Sequence, residues 1–125
     1  MSNPSLTQFK GHQYINVETY RKTGEAVATP VWFIELDDKL YVRTGAQSGK
    51  IKRIRRNPKI RVAPCDARGN LLGEWVAAQA HIVDEKTAEA VNQLLKKKYG
   101  LPKAFFDTVS RLSKAEEAVF VIELE

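Results

Sequence analysis

Short β-type runs separated by tight turns constrain this chain more than any other feature. "YINVETYRK" (Tyr14–Lys22) alternates and carries β-formers, "TGE" (Thr23–Glu25) supplies turn chemistry, and "AVATPVWFIEL" (Ala26–Leu36) follows. Such a pair reads as a β-hairpin. "DDK" (Asp37–Lys39) turns the chain again into a third strand, "LYVRT" (Leu40–Thr44). After a short helical stretch come "KIRVAPC" (Lys59–Cys65), the turn "DARGN" (Asp66–Asn70) and a long fifth strand, "GEWVAAQAHIVD" (Gly73–Asp84). Antiparallel strands joined by connections this short favour a closed or partly closed barrel. Periodicity alone leaves barrel and sandwich both open.

Proline and helix signals refine the pattern. Pro30 lies inside the second strand and cannot donate to a ladder, so an edge, a bulge or a break is expected there. Backbone groups beside it are then free to bind something else. Gly49–Arg56 reads as a short helix with Ile51 and Ile54 inward, stopped by Asn57-Pro58. Asp84 is placed to cap a helix over Glu85–Tyr99, whose Ala88, Val91, Leu94, Leu95 and Tyr99 share a face, with Gly100 as its stop. A further helix is expected over Pro102–Leu112 and a last, sixth strand over Ala118–Leu124. Residues 1–8 read as a loose end.

The 125 residues suit one domain spanning 1–125, and 43% hydrophobic residues can build its core. Cys65 is the only cysteine, so no internal disulfide forms and a reducing compartment fits. "MSNPSLTQFK" has no apolar core of a signal peptide, and no apolar run reaches roughly the 18 residues of a membrane span. A cytoplasmic protein is expected. The two histidines, His12 and His81, are far apart and lack partners at metal-ligand spacing, so no metal site is expected. Cys65 reads as a buried, inert thiol. Glu116 and Glu117 read as solvated.

Much of the net charge of +5 falls between Lys50 and Arg61, where seven of twelve residues are Lys or Arg. A solvated charged face is one reading. A nucleic-acid patch is another, but no stacking platform adjoins it and no nucleic-acid motif matches, so nucleic acid is not the expected partner. The third reading is a discrete phosphate site in "TGAQSGK" (Thr44–Lys50). Gly45, Ser48 and Gly49 let the backbone approach an anion. The helix begins near Gly49 and its free N–H groups favour negative charge. Lys50 and Arg53, three apart, share a helix face.

Taken as one block, Ala28–Asp66, "ATPVWFIELDDKLYVRTGAQSGKIKRIRRNPKIRVAPCD", resembles the flavin- and deazaflavin-dependent oxidoreductases built on the FMN-binding split β-barrel of pyridoxamine 5'-phosphate oxidase. The likeness runs from Tyr14 to Ile122 and is most specific at strand–"T…SGK"–helix–"NP"–strand. It implies a mainly β, six-stranded antiparallel split barrel with short helices, working as a homodimer. It further implies a cofactor in a groove at the dimer interface. The cofactor phosphate would lie near Ser48, Gly49 and Lys50, with Thr44 at the end of the third strand. Ala28, Thr29, Pro30 and Val31 match the segment whose backbone follows the ring system. Two arginines of the FMN oxidase are replaced here by Thr29-Pro30 and by Gly49. "TPVW" is typical of the branch that uses coenzyme F420. The implied cofactor is therefore F420 or FMN, FAD being a weaker match. The basic residues Lys52, Arg53, Arg55 and Arg56 suit a longer anionic tail.

The implied activity is hydride transfer between the cofactor and a small organic acceptor. The alternative is a non-catalytic flavin- or haem-binding carrier or sensor. In such enzymes the cofactor does the redox chemistry and the protein binds and orients it, so no catalytic side chain is expected. Trp32 and Trp75 either wall the substrate side or pack in the core. Tyr99 and Arg111 are placed at the pocket's border from a second protomer.

Overall fold

The computed structural model describes residues 4–45, 48–100 and 117–125. A short 3-10 helix, Pro4–Phe9, precedes seven strands and two α-helices. The strands are β1 (Tyr14–Tyr20), β2 (Ala26–Trp32), β3 (Ile34–Leu36), β4 (Lys39–Gly45), β5 (Lys59–Cys65), β6 (Val76–Ile82) and β7 (Glu117–Leu124). The helices are α1 (Gly49–Arg56) and α2 (Glu85–Tyr99). The mainly β class holds. No described helix is long and apolar enough to cross a membrane.

All strands lie in one antiparallel sheet of order β2-β1-β5-β6-β7-β4-β3. The two edge strands of this order, β2 and β3, are consecutive in the chain, with only Phe33 between them. The sheet must therefore curl until its edges meet at Phe33. Counted as one bent strand, β2 and β3 complete a six-stranded split barrel.

The expected second strand, Ala26–Leu36, is thus broken, and the break falls at Phe33 rather than Pro30. Pro30 instead occupies an edge, opposite Asn16 in the one ladder that β2 makes. An edge strand tolerates a missing donor. Pro64 is tolerated similarly. The β5–β6 ladder ends at Val62, and the Pro64 carbonyl accepts from the Leu72 amide beyond it. The fifth strand is shorter than expected, because "GEW" (residues 73–75) runs ahead of β6 without pairing.

The interior follows from strand alternation. Ile15 and Val17 of β1, Val42 of β4, Ile60 and Val62 of β5, Ala78 and Ala80 of β6, and Phe120 and Ile122 of β7 form one buried cluster. Ile51 and Ile54 of α1 enter the same cluster, so α1 closes one end of the barrel. Leu6 and Phe9 are also buried there. Of the expected loose end, residues 1–3 lie outside the described residues, while Leu6 and the adjoining Phe9 tie the 3-10 helix to the core. A second cluster lies between α2 and the sheet, where Val91 and Leu95 pack with Ile34, Tyr41 and Val119. Asp84 caps α2 by accepting from the Thr87 amide, and Gly100 ends it with φ of 62°. Expected helix Pro102–Leu112, with Arg111, and Glu116 lie outside the described residues.

Phe33 belongs to neither ladder, and α2 supplies its partners. The Tyr99 hydroxyl accepts from the Phe33 amide at 3.0 Å and has the carbonyls of Phe33 (2.9 Å) and Gln13 (2.6 Å) within donor reach. The Lys98 ammonium donates to the Phe33 carbonyl at 2.7 Å and lies 3.6 Å from the centre of its ring. Removal from water pulls Lys98 down to about 8 and pushes the Tyr99 phenol up to about 12. The Tyr99 ring stacks on Trp32 at 4.4 Å between centroids.

Candidate functional site

The start of α1 gathers most of the expected anion-binding residues. Ser48 is its N-cap, and the Ser48 hydroxyl accepts from the Ile51 amide at 3.3 Å. The hydroxyl thus accepts in the cap and keeps its hydrogen as a donor, while the first-turn amides ahead of Ile51 keep the orientation that favours an anion. Gly49 is the first helical residue. A Cβ built there would lie 2.6 Å from Nη1 of Arg53, so glycine is what allows this guanidinium to fold back over the helix start.

Arg53 is further fixed by Thr19 of β1. Its Nε donates to the Thr19 hydroxyl at 2.6 Å, and Thr19 is buried. The terminal guanidinium nitrogens are then left for another partner. Loss of solvent, then the charges of Arg21 and Arg56, hold Arg53 below its ordinary range. Loss of solvent, then Arg53, likewise lowers Lys50. No ion pair to a carboxylate is formed by either among the described residues. These are crowded cations without a counter-charge, a state that a bound anion would relieve.

The basic run therefore divides. Lys50 and Arg53 converge at the helix start, whereas Lys52, Arg55 and Arg56 are exposed. Arg56 donates to the Tyr20 carbonyl at 3.2 Å, fastening the end of α1 to the first hairpin. Thr44 lies near the end of β4, opposite Ala118 of β7. It leads into the same strand-to-helix connection.

The remaining expected residues lie on β2, whose free edge has no ladder neighbour among the described residues. Ala28 and Pro30 face outward, while Thr29 and Val31 turn toward the interior, Thr29 opposite Val17. The Thr29 hydroxyl oxygen is buried without a hydrogen-bond partner. An unpartnered buried hydroxyl costs about 1–3 kcal/mol. The edge of β2, rather than a break at Pro30, is what frees backbone groups here.

Trp75 is placed differently. It lies under the guanidinium of Arg61, 5.0 Å from its ring centre, on the outer face of the sheet. Arg61 in turn makes two hydrogen bonds to Glu18, at 2.7 and 3.0 Å, and Tyr20 donates to the same carboxylate at 2.8 Å. Arg61 and then Tyr20 hold the Glu18 carboxyl below the usual range against the cost of burial. Trp32 is exposed and stacked on Tyr99, so neither tryptophan is a core residue. Cys65 is buried as expected, and burial pushes its thiol up to about 11. No cluster of metal-ligating residues occurs among the described residues.

Thr19 and Arg21 were not legible as neighbours of Arg53. Thr19 is 34 positions from Arg53, and only the barrel brings the two together.

The residues present fit a phosphate group. Lys50 and Arg53, without a carboxylate partner among the described residues, meet the first amides of α1 at one corner, and separately an unsatisfied hydroxyl lies on a strand with a free edge.

Comparison with known proteins bears on the same point. No curated protein matches the chain. Among solved structures, an F420 reductase is similar, with 17% identity and a TM-score of 0.67, covering 100% of this chain and 96% of that one. The haem storage protein of Vibrio cholerae shows 15% identity and a TM-score of 0.73, with coverage of 100% and 92%. A protein of Clostridium acetobutylicum, related to general stress protein 26 and described as of the pyridoxinephosphate oxidase family, shows 14% identity and a TM-score of 0.67, covering 97% and 81%. The family model for pyridoxamine 5'-phosphate oxidase matches residues 4–125. With nearly the whole chain matched and the split barrel in place, this protein belongs to the pyridoxamine 5'-phosphate oxidase family.

Proposed function

We propose that this protein is an oxidoreductase that binds coenzyme F420 or FMN and passes a hydride between it and a small organic acceptor. The observation that carries the reading is the pair Lys50 and Arg53, half-buried at the start of α1, with Arg53 folded back over Gly49 and neither paired with a carboxylate among the described residues. Likeness to an F420 reductase and the family match support it.

In this reading the amides of the first turn of α1, with Lys50 and Arg53, hold the cofactor phosphate. Arg53 is kept in place by Thr19 and by the missing side chain at Gly49. Thr44 borders the phosphate, and the free edge of β2 from Ala28 to Val31 runs beside the ring, where the Thr29 hydroxyl has an unused donor and acceptor. When bound, the cofactor supplies the hydride chemistry. The chain supplies charge neutralisation, orientation and partial exclusion of water.

The proposed working form is a cytoplasmic homodimer with the cofactor at its interface. Exposed Trp32, Leu71 and Leu72 are apolar surface suited to a partner. Trp75 borders the groove only if the second protomer brings it there.

Spectrophotometric titration with F420 and with FMN tests the reading. Saturable binding of either supports it; binding of neither at tens of micromolar, about −6 kcal/mol on the affinity scale, rejects it. Likeness to a haem storage protein supports a carrier as the second reading. That reading requires retention of a cofactor with no turnover across a panel of acceptors.

A further inference from the structure

A second basic concavity lies on the outer face of the sheet. It has a volume of about 580 Å³, and its walls include Arg21, Lys22, Asn57, Lys59 and Arg61. That is the size of many small-molecule sites, about 300–1,000 Å³.

Register explains the hollow. Lys59 and Arg61 project from the outer face of β5, and their cross-strand partners on β6 are Gln79 and Ala77. The methyl group of Ala77 leaves a depression among longer side chains. The β1–β2 turn brings Arg21 and Lys22 to one side, closed by hydrogen bonds between Arg21 and Glu25 (2.9 Å) and between Gly24 and Arg21 (2.9 Å). Arg56 holds this hairpin against the end of α1 through the Tyr20 carbonyl. Asn57 accepts from the Lys59 amide at 3.1 Å through its oxygen, which leaves its nitrogen as a donor.

The charges are unequal in availability. Arg61 is taken by Glu18. Arg21, Lys22 and Lys59 form no ion pair among the described residues, and Glu125 is the only acidic residue on the wall. The three cations come from two chain segments, the β1–β2 turn and the start of β5. A single small anion would satisfy one of them, whereas a multiply charged one would bridge them. The methyl group of Ala77 is the exposed part of the floor, while Ile60 and Ala78 turn into the core beneath it.

We propose that this concavity is a second anion site, which takes a small organic polyanion chiefly through Lys22 and Lys59. Arg21, whose charge also reaches Arg53, stands between it and the corner at α1. It does not rest on the cofactor reading, since Lys50 and the start of α1 are not part of its wall.

The test is an amide NMR titration of the full chain with citrate at low ionic strength, with acetate at matched ionic strength as control. Saturable shifts at Gly24, Lys59 and Ala77 with citrate alone are expected. The doubly substituted Lys22→Glu, Lys59→Glu chain is expected to bind citrate at least about ten-fold more weakly, a change of about 1.4 kcal/mol. Lys50→Ala is expected to bind it unchanged. Shifts spread over the basic surface, equal effects of acetate, or an equal loss in Lys50→Ala would each overturn the proposal.

Discussion

The Tyr99 hydroxyl serves both backbone groups of Phe33, accepting from the amide at 3.0 Å and reaching the carbonyl at 2.9 Å. Those groups belong to the one residue at which the barrel's two edges meet. Tyr99→Phe keeps the stack on Trp32 but removes the hydroxyl. It is expected to destabilise the fold by about 1–3 kcal/mol, the usual cost of leaving a buried amide unpaired, since the Phe33 carbonyl keeps its bond from Lys98. Tyr99→Leu also removes the stack and is expected to cost about 0.5–1.5 kcal/mol more. Denaturant unfolding followed by tryptophan fluorescence measures both, and a neutral Tyr99→Phe would show that solvent replaces the hydroxyl.

Lys50→Ala is expected to weaken cofactor binding by roughly ten- to hundred-fold, the worth of a charge-assisted contact of about 1.5–3 kcal/mol. Arg56→Ala is expected to change it little, because Arg56 is exposed and engaged with the Tyr20 carbonyl. Titration of each variant with F420 and FMN separates a discrete corner from a diffuse basic surface; equal losses would indicate the latter.

Gly49→Ala isolates the role of Arg53. The added Cβ would meet the guanidinium at 2.6 Å, at the far end of a flexible side chain, so Arg53 moves aside and the helix is kept. Thermal stability is expected to stay level or rise slightly, since alanine favours a helix over glycine by about 1 kcal/mol. Cofactor affinity is expected to fall. Unchanged affinity would mean that Arg53 need not lie over the helix start.

Glu18 gives a pH signature. Its folded carboxyl lies below the ordinary 4.5, so the unfolded chain takes up the proton first as the pH falls. Its contribution is complete above that ordinary value and is lost as the pH drops through the folded one. Glu18→Gln should flatten this part of the acid limb. Arg61→Met leaves the buried carboxylate without its main partner, so it should destabilise at neutral pH and recover part of the loss on acidification. Unfolding free energies from pH 3 to 7 distinguish these patterns, and identical acid limbs in wild type and Glu18→Gln would refute the assignment.

Cys65 should resist thiol reagents at neutral pH in the folded chain and react on unfolding, since it is buried and its thiol is pushed up to about 11. Rapid labelling under native conditions would show that the strand end opens.

Local signals explain why so much of this was legible. The hairpin turns, the Asp84 cap and the Asn57-Pro58 stop depend on residues a few positions apart, and each stands where the sequence puts it; the cap at Ser48 was not read from it. The inward pair Ile51 and Ile54 follows from helix spacing alone. The break at Phe33 had no such signal, because nothing in "VWFIEL" differs from a continuous strand. It is imposed by ring closure, which the sequence does not spell out. Proline at position 30 allowed an edge, a bulge or a break, and the edge is what it occupies. The burial of Leu6 and Phe9 was likewise invisible beside polar neighbours. At the site, Ser48, Gly49, Lys50 and Arg53 were readable from one contiguous motif. Thr19, which aims Arg53, was not.

The position of Pro30 also bears on how this chain avoids its own kind. A closed ring leaves few open ladders for a foreign strand to extend, and those left here border Phe33. On one side β3 is only three residues long; on the other, β2 carries an imino acid at its fifth position. Neither offers an uninterrupted row of donors. Strand-by-strand growth into aggregates is thus discouraged at the seam itself, and the residue that looked like a defect in the pattern acts as a guard.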